Sequence, residues 1–329
     1  MRLLTPALLA AAVLLSACGT TESTSSEPGA SGDAGGAGGA GGAITLTDAR
    51  GKTVELKAPA KKVVSLEWAE TEMVLTLGVT PVGAADPEGY ATWNSAEALP
   101  GDVKDVGKRG EPSVDAIVAL EPDLVLMPLA RDTAVAEQLE KAVPVVMTKS
   151  SDATKNFDRL REDFTLIAKA VGKEAEAKTA LADMDAKLAE GKKAVEAKGA
   201  TGTPFVMADG WMQGSTVSIR PFGKGSLVSD TAEAVGLVNA WTGEVDAEWG
   251  LGATDVEGMT AITDPKTIMV YSASEEDVFT TGLKDNAVWQ RLPFTASGKI
   301  TKLEKGTWTF GGPKSVAVIA DQFVKAATS

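Results

Sequence analysis

Residues 152–198 restrict the fold more than any other stretch. The run "DATKNFDRLREDFTLIAKAVG" is amphipathic, and "KEAEAKTALADMDAKLAEGKKAVEAK" is rich in Ala, Glu and Lys. Such composition favours helix strongly. Ala177, Leu181, Met184 and Leu188 fall on one face, which predicts a long helix over about 173–197. On either side the pattern changes to short strands alternating with short helices. A chain of this kind is two α/β units with a helical segment between them.

On the N-terminal side, "ITLTDARGKTVEL" (44–56) alternates apolar and polar residues about Asp48–Gly51 and predicts a β-hairpin. "KKVVSL" predicts a buried strand. "AETEMVLTLGV" places Met73, Val74, Leu77 and Val79 at helical spacing, with Gly78 as its C-cap. "PVGAAD" predicts a short strand, "EPSVDAIVALEPDLVLMP" a helix to Leu120 and the strand Leu124–Met127, and "AVPVVMT" a further strand.

The C-terminal side repeats this logic. "PFVMADG" predicts a strand, and "GSLVSDTAEAVG" a helix ending at Gly236 as the earlier one ends at Gly78. "DVEGMTAITDPKTIMVY" then echoes "SVDAIVALEPDLVLMP", in the order acid, apolar helix, acid-Pro, apolar strand. The reading is α/β: two similar lobes, each a sheet flanked by helices, bridged by a single long helix. Residues 44–151 form the first lobe, 152–198 the helical segment and 199–329 the second lobe.

Ahead of the folded part, Met1 and Arg2 precede the apolar run "LLTPALLAAAVLLSAC", which is short for a transmembrane helix. Its ending, Leu15-Ser16-Ala17-Cys18, resembles the bacterial lipobox. That implies a signal peptide over 1–17, cleavage before Cys18 and a lipid on its thiol. Residues 18–43, rich in Gly, Ser and Thr, read as a flexible tether to the membrane. The long tether suits an exposed extracytoplasmic surface.

Composition closes several functions. The net charge of −13 argues against nucleic acid, which needs a basic face. There is no histidine and the one cysteine is Cys18. An imidazole zinc site, a Ser-His-Asp triad and a thiol catalyst are therefore absent from the body. A carboxylate-dependent surface hydrolase remains formally open through acids such as Glu275, Glu276 and Asp277. Adjacent loop acids are usually just solvated, and nothing in the sequence supplies a nucleophile or an oxyanion hole.

The seven tryptophans against two tyrosines are the positive signal. Trp289, in "NAVWQRLPF", reads as core. Trp93, Trp241, Trp249 and Trp308 sit in Gly- and Pro-punctuated connections, where an amphipathic ring more often serves binding. Arg109, sixteen residues after Trp93 in "DVGKRGEP", joins them as a pocket cation.

The pieces "TLGVTPVGAAD", "DVGKRGEPSVDAIVALEPDLVLM", "GLVNAWTGE", "WG" and "GTWTFGGP" resemble the iron-siderophore substrate-binding lipoproteins of ABC importers. The likeness covers about residues 44–326 and is nearest to the ferric-hydroxamate-binding members. It implies the helical-backbone periplasmic-binding-protein fold, with small changes on binding. It implies ligand contacts at Trp93, Arg109, Trp241, Trp249 and Trp308. Where those members carry a pocket Tyr this chain has Arg131, which either meets the same ligand or signals a carboxylate-bearing one. Arg220, Trp68, Trp211 and Tyr271 are further candidates for the pocket.

A hexadentate hydroxamate siderophore fills every position on Fe(III), so the resemblance implies no protein metal ligand and no cofactor. Arg109 and Arg131 would donate to hydroxamate oxygens, and the tryptophans would wall the linker chains. The resemblance further implies a monomer that docks on an ABC permease, and through it on the ATPase. Docking uses one surface Glu per lobe, for which Glu72 and Glu257 stand at matching helix starts. A citrate, catecholate, haem or cobalamin receptor of the same fold is the alternative, and the lack of His weighs against haem.

Overall fold

The computed structural model describes residues 42–131 and 133–329. The signal peptide, Cys18 and all but the last two residues of the tether lie outside the described residues. The hairpin forms as the alternation predicts: β1 (Ile44–Thr47) pairs antiparallel with β2 (Thr53–Leu56), Ile44 opposite Leu56. Leu46, Val54 and Leu56 are buried while their neighbours face water.

The first sheet is parallel throughout. β3 (Val63–Ser65) lies at its centre, flanked by β4 (Gly83–Ala84) with β5 (Lys104–Asp105), and by β8 (Leu124–Pro128) with β9 (Val145–Thr148). β3, β8 and β9 are buried along their length, as expected of parallel strands covered on both faces. The connections carry α1 (Trp68–Thr76), α2 (Pro87–Trp93), the small hairpin β6 (Gly107–Lys108) and β7 (Glu111–Pro112), α3 (Val114–Ala119) and α4 (Thr133–Leu139). Gly78 follows α1 at φ +75°, a conformation glycine takes without cost.

Two helices fill the middle segment, α5 (Asn156–Val171) and α6 (Glu174–Ala197). At 24 residues α6 spans about 36 Å. It buries Ala177, Met184 and Leu188 on one face, while Leu181 is half-buried at its edge.

The second sheet is mixed. β10 (Pro204–Gln213) pairs antiparallel with β11 (Thr216–Pro221) and parallel with β12 (Val238–Asn239) and β13 (Ile268–Tyr271), and β13 pairs with β14 (Ile300–Lys302). Around it lie α7 (Leu227–Ala234), the short α8 (Pro293–Ala296) and the closing α9 (Pro313–Thr328).

The echo between the halves is weaker in structure than in sequence. Ser113 caps α3, its hydroxyl accepting from the Ala116 N–H at 3.2 Å. Asp255 does the same in the second half, accepting from the Gly258 N–H at 2.9 Å. The helix expected after it is one 3₁₀ turn, Gly258–Ala261. Gly258 and Thr260 both favour non-helical backbone, and the Thr260 hydroxyl bonds back to the Glu257 carbonyl at 2.6 Å.

One apolar core runs through both halves, joining Val63 and Phe164 to Met184 and Leu188 of α6 and to Phe205 and Phe323 beyond. The two sheets are therefore wedged against a common helical layer rather than linked by a loop. Trp289 is buried in a second cluster with Phe279 and Phe294, the core role its sequence context predicts.

Candidate ligand-binding cleft

A cleft of about 670 Å³ opens at the carboxyl ends of the strands, bounded by residues of both halves. That is within the usual size of small-molecule sites, and strand ends are where open α/β sheets bind ligands. Residues just beyond β3, β8 and β9 supply Glu67, Arg131 and Ser150. From the second half come Asp209 and Arg220, cross-strand partners on β10 and β11, together with Trp249.

The floor is aromatic. Trp308 meets Trp68 edge-on at 4.8 Å and Trp93 at 6.5 Å, and on its other side Phe310 at 5.2 Å. Phe310 in turn meets Trp249 at 5.6 Å. Edge-to-face pairs of this kind satisfy the ring quadrupoles and hold the side chains rigid. Trp68 and Trp308 are nearly buried, while Trp93 and Trp249 keep part of their surface open to the cleft.

Three guanidinium groups line the same space, and each is matched by a carboxylate. The Arg109 guanidinium lies 4.0 Å from the Trp68 ring centroid, a cation–π contact, and its Nε pairs with Glu67 Oε1. Arg131 Nη2 donates to Glu67 Oε2. The Glu67 carboxylate also caps α1, accepting from the Trp68 N–H at 2.8 Å. Opposite, Arg220 Nε donates to Asp209 Oδ1 at 2.9 Å and its Nη2 to Oδ2. Burial pushes the Asp209 carboxyl up, and the Arg220 pair pulls it back toward the ordinary range. Glu248 is the third acid in the lining.

Most of the residues expected at a pocket therefore meet: Trp93, Arg109, Arg131, Trp249, Trp308, Arg220 and Trp68 all line the cleft. Trp211, two residues along β10 from Asp209, is outside the lining and exposed, with Arg220 5.7 Å from its ring.

Three further expectations need correction. Trp241 is outside the lining, because its ring packs beneath glycines. A Cβ on Gly243 would lie 2.4 Å from it, and one on Gly223 or Gly252 3.0 Å. Tyr271 is a core residue, its ring 4.8 Å from Phe279 and its hydroxyl donating to Asp277 at 3.1 Å. Glu72 is fully buried and has no surface to dock with. It accepts from the Asn94 amide at 2.7 Å, the Ser315 N–H at 2.9 Å and the Ser315 hydroxyl at 2.5 Å. It thus caps the N-terminus of α9 from α1, where the helix dipole favours negative charge.

Sequence reasoning missed Glu67, Asp209 and Phe310. Glu67 reads as an ordinary acid at a helix start, and Asp209 gains meaning only through its register opposite Arg220. Glu257 is exposed as expected, and the acid at its equivalent place in the first half, two residues past the capping side chain in each case, is the exposed Asp115.

A profile of the periplasmic binding proteins matches residues 63–306. The chain belongs to the periplasmic binding protein family. The relatives of this family member include the iron(3+)-hydroxamate-binding protein FhuD of Escherichia coli, 27% identical over 77% of this chain and 82% of its own length. The Fe(3+)-citrate-binding protein YfmC of Bacillus subtilis is 29% identical over 97% of this chain and 94% of its own. Among solved structures, the Fe3+–Desferal-bound siderophore-binding protein FhuD of Vibrio cholerae superposes with a TM-score of 0.72 at 25% identity, over 82% of this chain and 98% of that one.

Proposed function

We propose that this protein is the extracytoplasmic, lipid-anchored binding component of an ABC importer, not an enzyme, and that it captures an Fe(III)-siderophore of the hydroxamate type. The observation that carries the ligand class is the charge balance of the cleft, three guanidinium cations with three carboxylates over an aromatic floor. Fe(III) held by three singly charged hydroxamates is a neutral complex, amphipathic at its surface. A balanced cleft takes it up without leaving a buried charge unpaired. Each arginine has N–H groups beyond those its carboxylate uses, available for hydroxamate oxygens.

The magnitudes suffice. Micromolar binding needs about 8 kcal/mol, and a charge-assisted hydrogen bond contributes roughly 1.5–3 kcal/mol. Burying a large aromatic surface adds a similar amount each time, against the cost of association.

A second reading, an anionic citrate-type chelate, has its own support: three arginines line one cleft, and a citrate-binding relative aligns over nearly the whole chain. Tryptophan fluorescence of the domain from residue 44 onward separates the two. Titration with a ferric trihydroxamate is expected to quench saturably at micromolar concentration or below, with at least a tenfold loss in Arg109→Ala and Trp93→Ala. Quenching by ferric citrate alone would transfer the function to the second reading. No response to either chelate, nor to a ferric catecholate or haem, would end both.

Delivery follows from the family's mode of docking, one surface acid on each lobe against permease arginines. Glu257 keeps that role here, and Asp115 replaces Glu72, because Asp115 and Glu257 hold equivalent exposed places beside the Ser113 and Asp255 caps. The signal peptide over 1–17, the lipid on Cys18 and the tether to residue 43 belong to the same reading.

A further inference from the structure

Glu67 is unusual among the cleft acids because it serves two cations at once. Its side chain is 9% exposed, against 25% for Arg109 and 34% for Arg131. The carboxylate is thus the most buried of the three groups, although all three line the cleft. Arg109 comes from the turn between β6 and β7, and Arg131 from the turn after β8. The shared Glu67 carboxylate joins those two turns.

The three cations also divide unevenly between the acids. Arg220 has its own partner in Asp209, whereas Glu67 answers two positive charges with one negative. The Glu67 side of the cleft is thus poised near a choice: with the carboxylate present it carries one net positive charge, and without it two.

We infer that Glu67 is the specificity-determining residue of the cleft, a buried counter-charge shared by Arg109 and Arg131 that weakens the pull of the two cations on anionic iron chelates relative to neutral ones. The inference rests on the hydroxamate reading above. Physically, an anionic chelate brought over the two guanidinium groups meets the repulsion of Glu67 beside them, in a partly desolvated setting where one unit charge at this range is felt strongly. A neutral chelate meets only the N–H donors. Removing the charge while keeping the shape should therefore change the two affinities differently, which a purely architectural role would not do.

Glu67→Gln keeps an oxygen to cap α1 and removes the charge. In direct titrations of the residue 44–329 domain with a neutral ferric trihydroxamate and with ferric citrate, the affinity ratio is expected to move toward citrate by roughly tenfold or more. Glu67→Asp, which retains the charge, is expected to hold the wild-type ratio within about threefold even if both affinities fall. Arg131→Gln, altered on a part-exposed turn, is expected to move the ratio about tenfold the other way. An unchanged ratio in folded Glu67→Gln overturns the inference, as does an equal shift in Glu67→Asp. Should Glu67→Gln not fold, the absence of any shift in Arg131→Gln overturns it. Wild-type protein that binds the hydroxamate while the ratios stay fixed removes this inference alone. Wild-type protein that binds neither chelate removes the proposed function together with it.

Discussion

Glu70 lies one helical turn beyond Glu67 on α1 and is buried. It accepts from the Thr148 hydroxyl and, at 3.3 Å, from the Ser150 hydroxyl, while its other oxygen has no hydrogen-bond partner among the described residues. Burial, and then the nearby Glu67 charge, push this carboxyl up to about 7. A carboxyl with a raised folded-state pKa binds its proton more tightly in the native protein than in the unfolded chain. Its contribution to stability is complete below the unfolded value and is lost as pH rises through about 7. At about 1.4 kcal/mol per pKa unit the change comes to roughly 3–4 kcal/mol across that window. Thermal melts should show wild-type stability falling between about pH 4.5 and 7 more steeply than in Glu70→Gln, whose side chain cannot ionise. Parallel curves for the two proteins would refute the assignment. Glu72, two residues on, is also shifted upward by burial, but its three donors pull it back and keep it useful as a cap.

At the scale of elements, α6 is the piece on which packing depends most. Gly191 sits on its buried face, where an added Cβ would lie 2.9 Å from a Val235 methyl and 3.1 Å from a Val324 methyl of α9. The glycine costs helix propensity and in exchange allows close approach of α6 to both neighbours. Gly191→Val should destabilise the protein by about 1–3 kcal/mol through overpacking, visible as a lower denaturant midpoint with the same slope. The positions of α6, the hairpin and the buried strands are all legible in the sequence, since each rests on local periodicity. The turn at Gly258–Ala261 is not, because an apolar, acid-led pattern looks helical even where Gly and Thr let it stop after one turn. Trp249 and Trp241 likewise look alike in sequence, each beside glycines. What separates them is which loop folds over which ring, a long-range fact that spacing does not carry. The cleft arginines were legible as residues; their division between Glu67 and Asp209 depends on register and burial, and was not.

At the scale of the whole molecule, the two halves are joined by packing. A common core crosses from one half to the other, and the aromatic chain from Trp93 through Trp308 and Phe310 to Trp249 spans the cleft. In the docking mode proposed above, a permease would read Asp115 and Glu257 together. Reversing both, as Asp115→Lys with Glu257→Lys, should abolish uptake of the iron chelate by cells while leaving its affinity for the purified domain within about twofold. Uptake that survives the double reversal would remove these residues from the docking surface.

The bond between Glu72 and Ser315 joins positions 243 residues apart. During synthesis, at about 5–20 residues per second, the first helix waits roughly 10–50 s for the residues that satisfy its buried carboxylate. The nascent N-terminal half thus leaves the ribosome with an open seam. On the extracytoplasmic reading proposed above, a chain that crosses a membrane before it folds would gain from that delay, because α9 is the latch that closes α1.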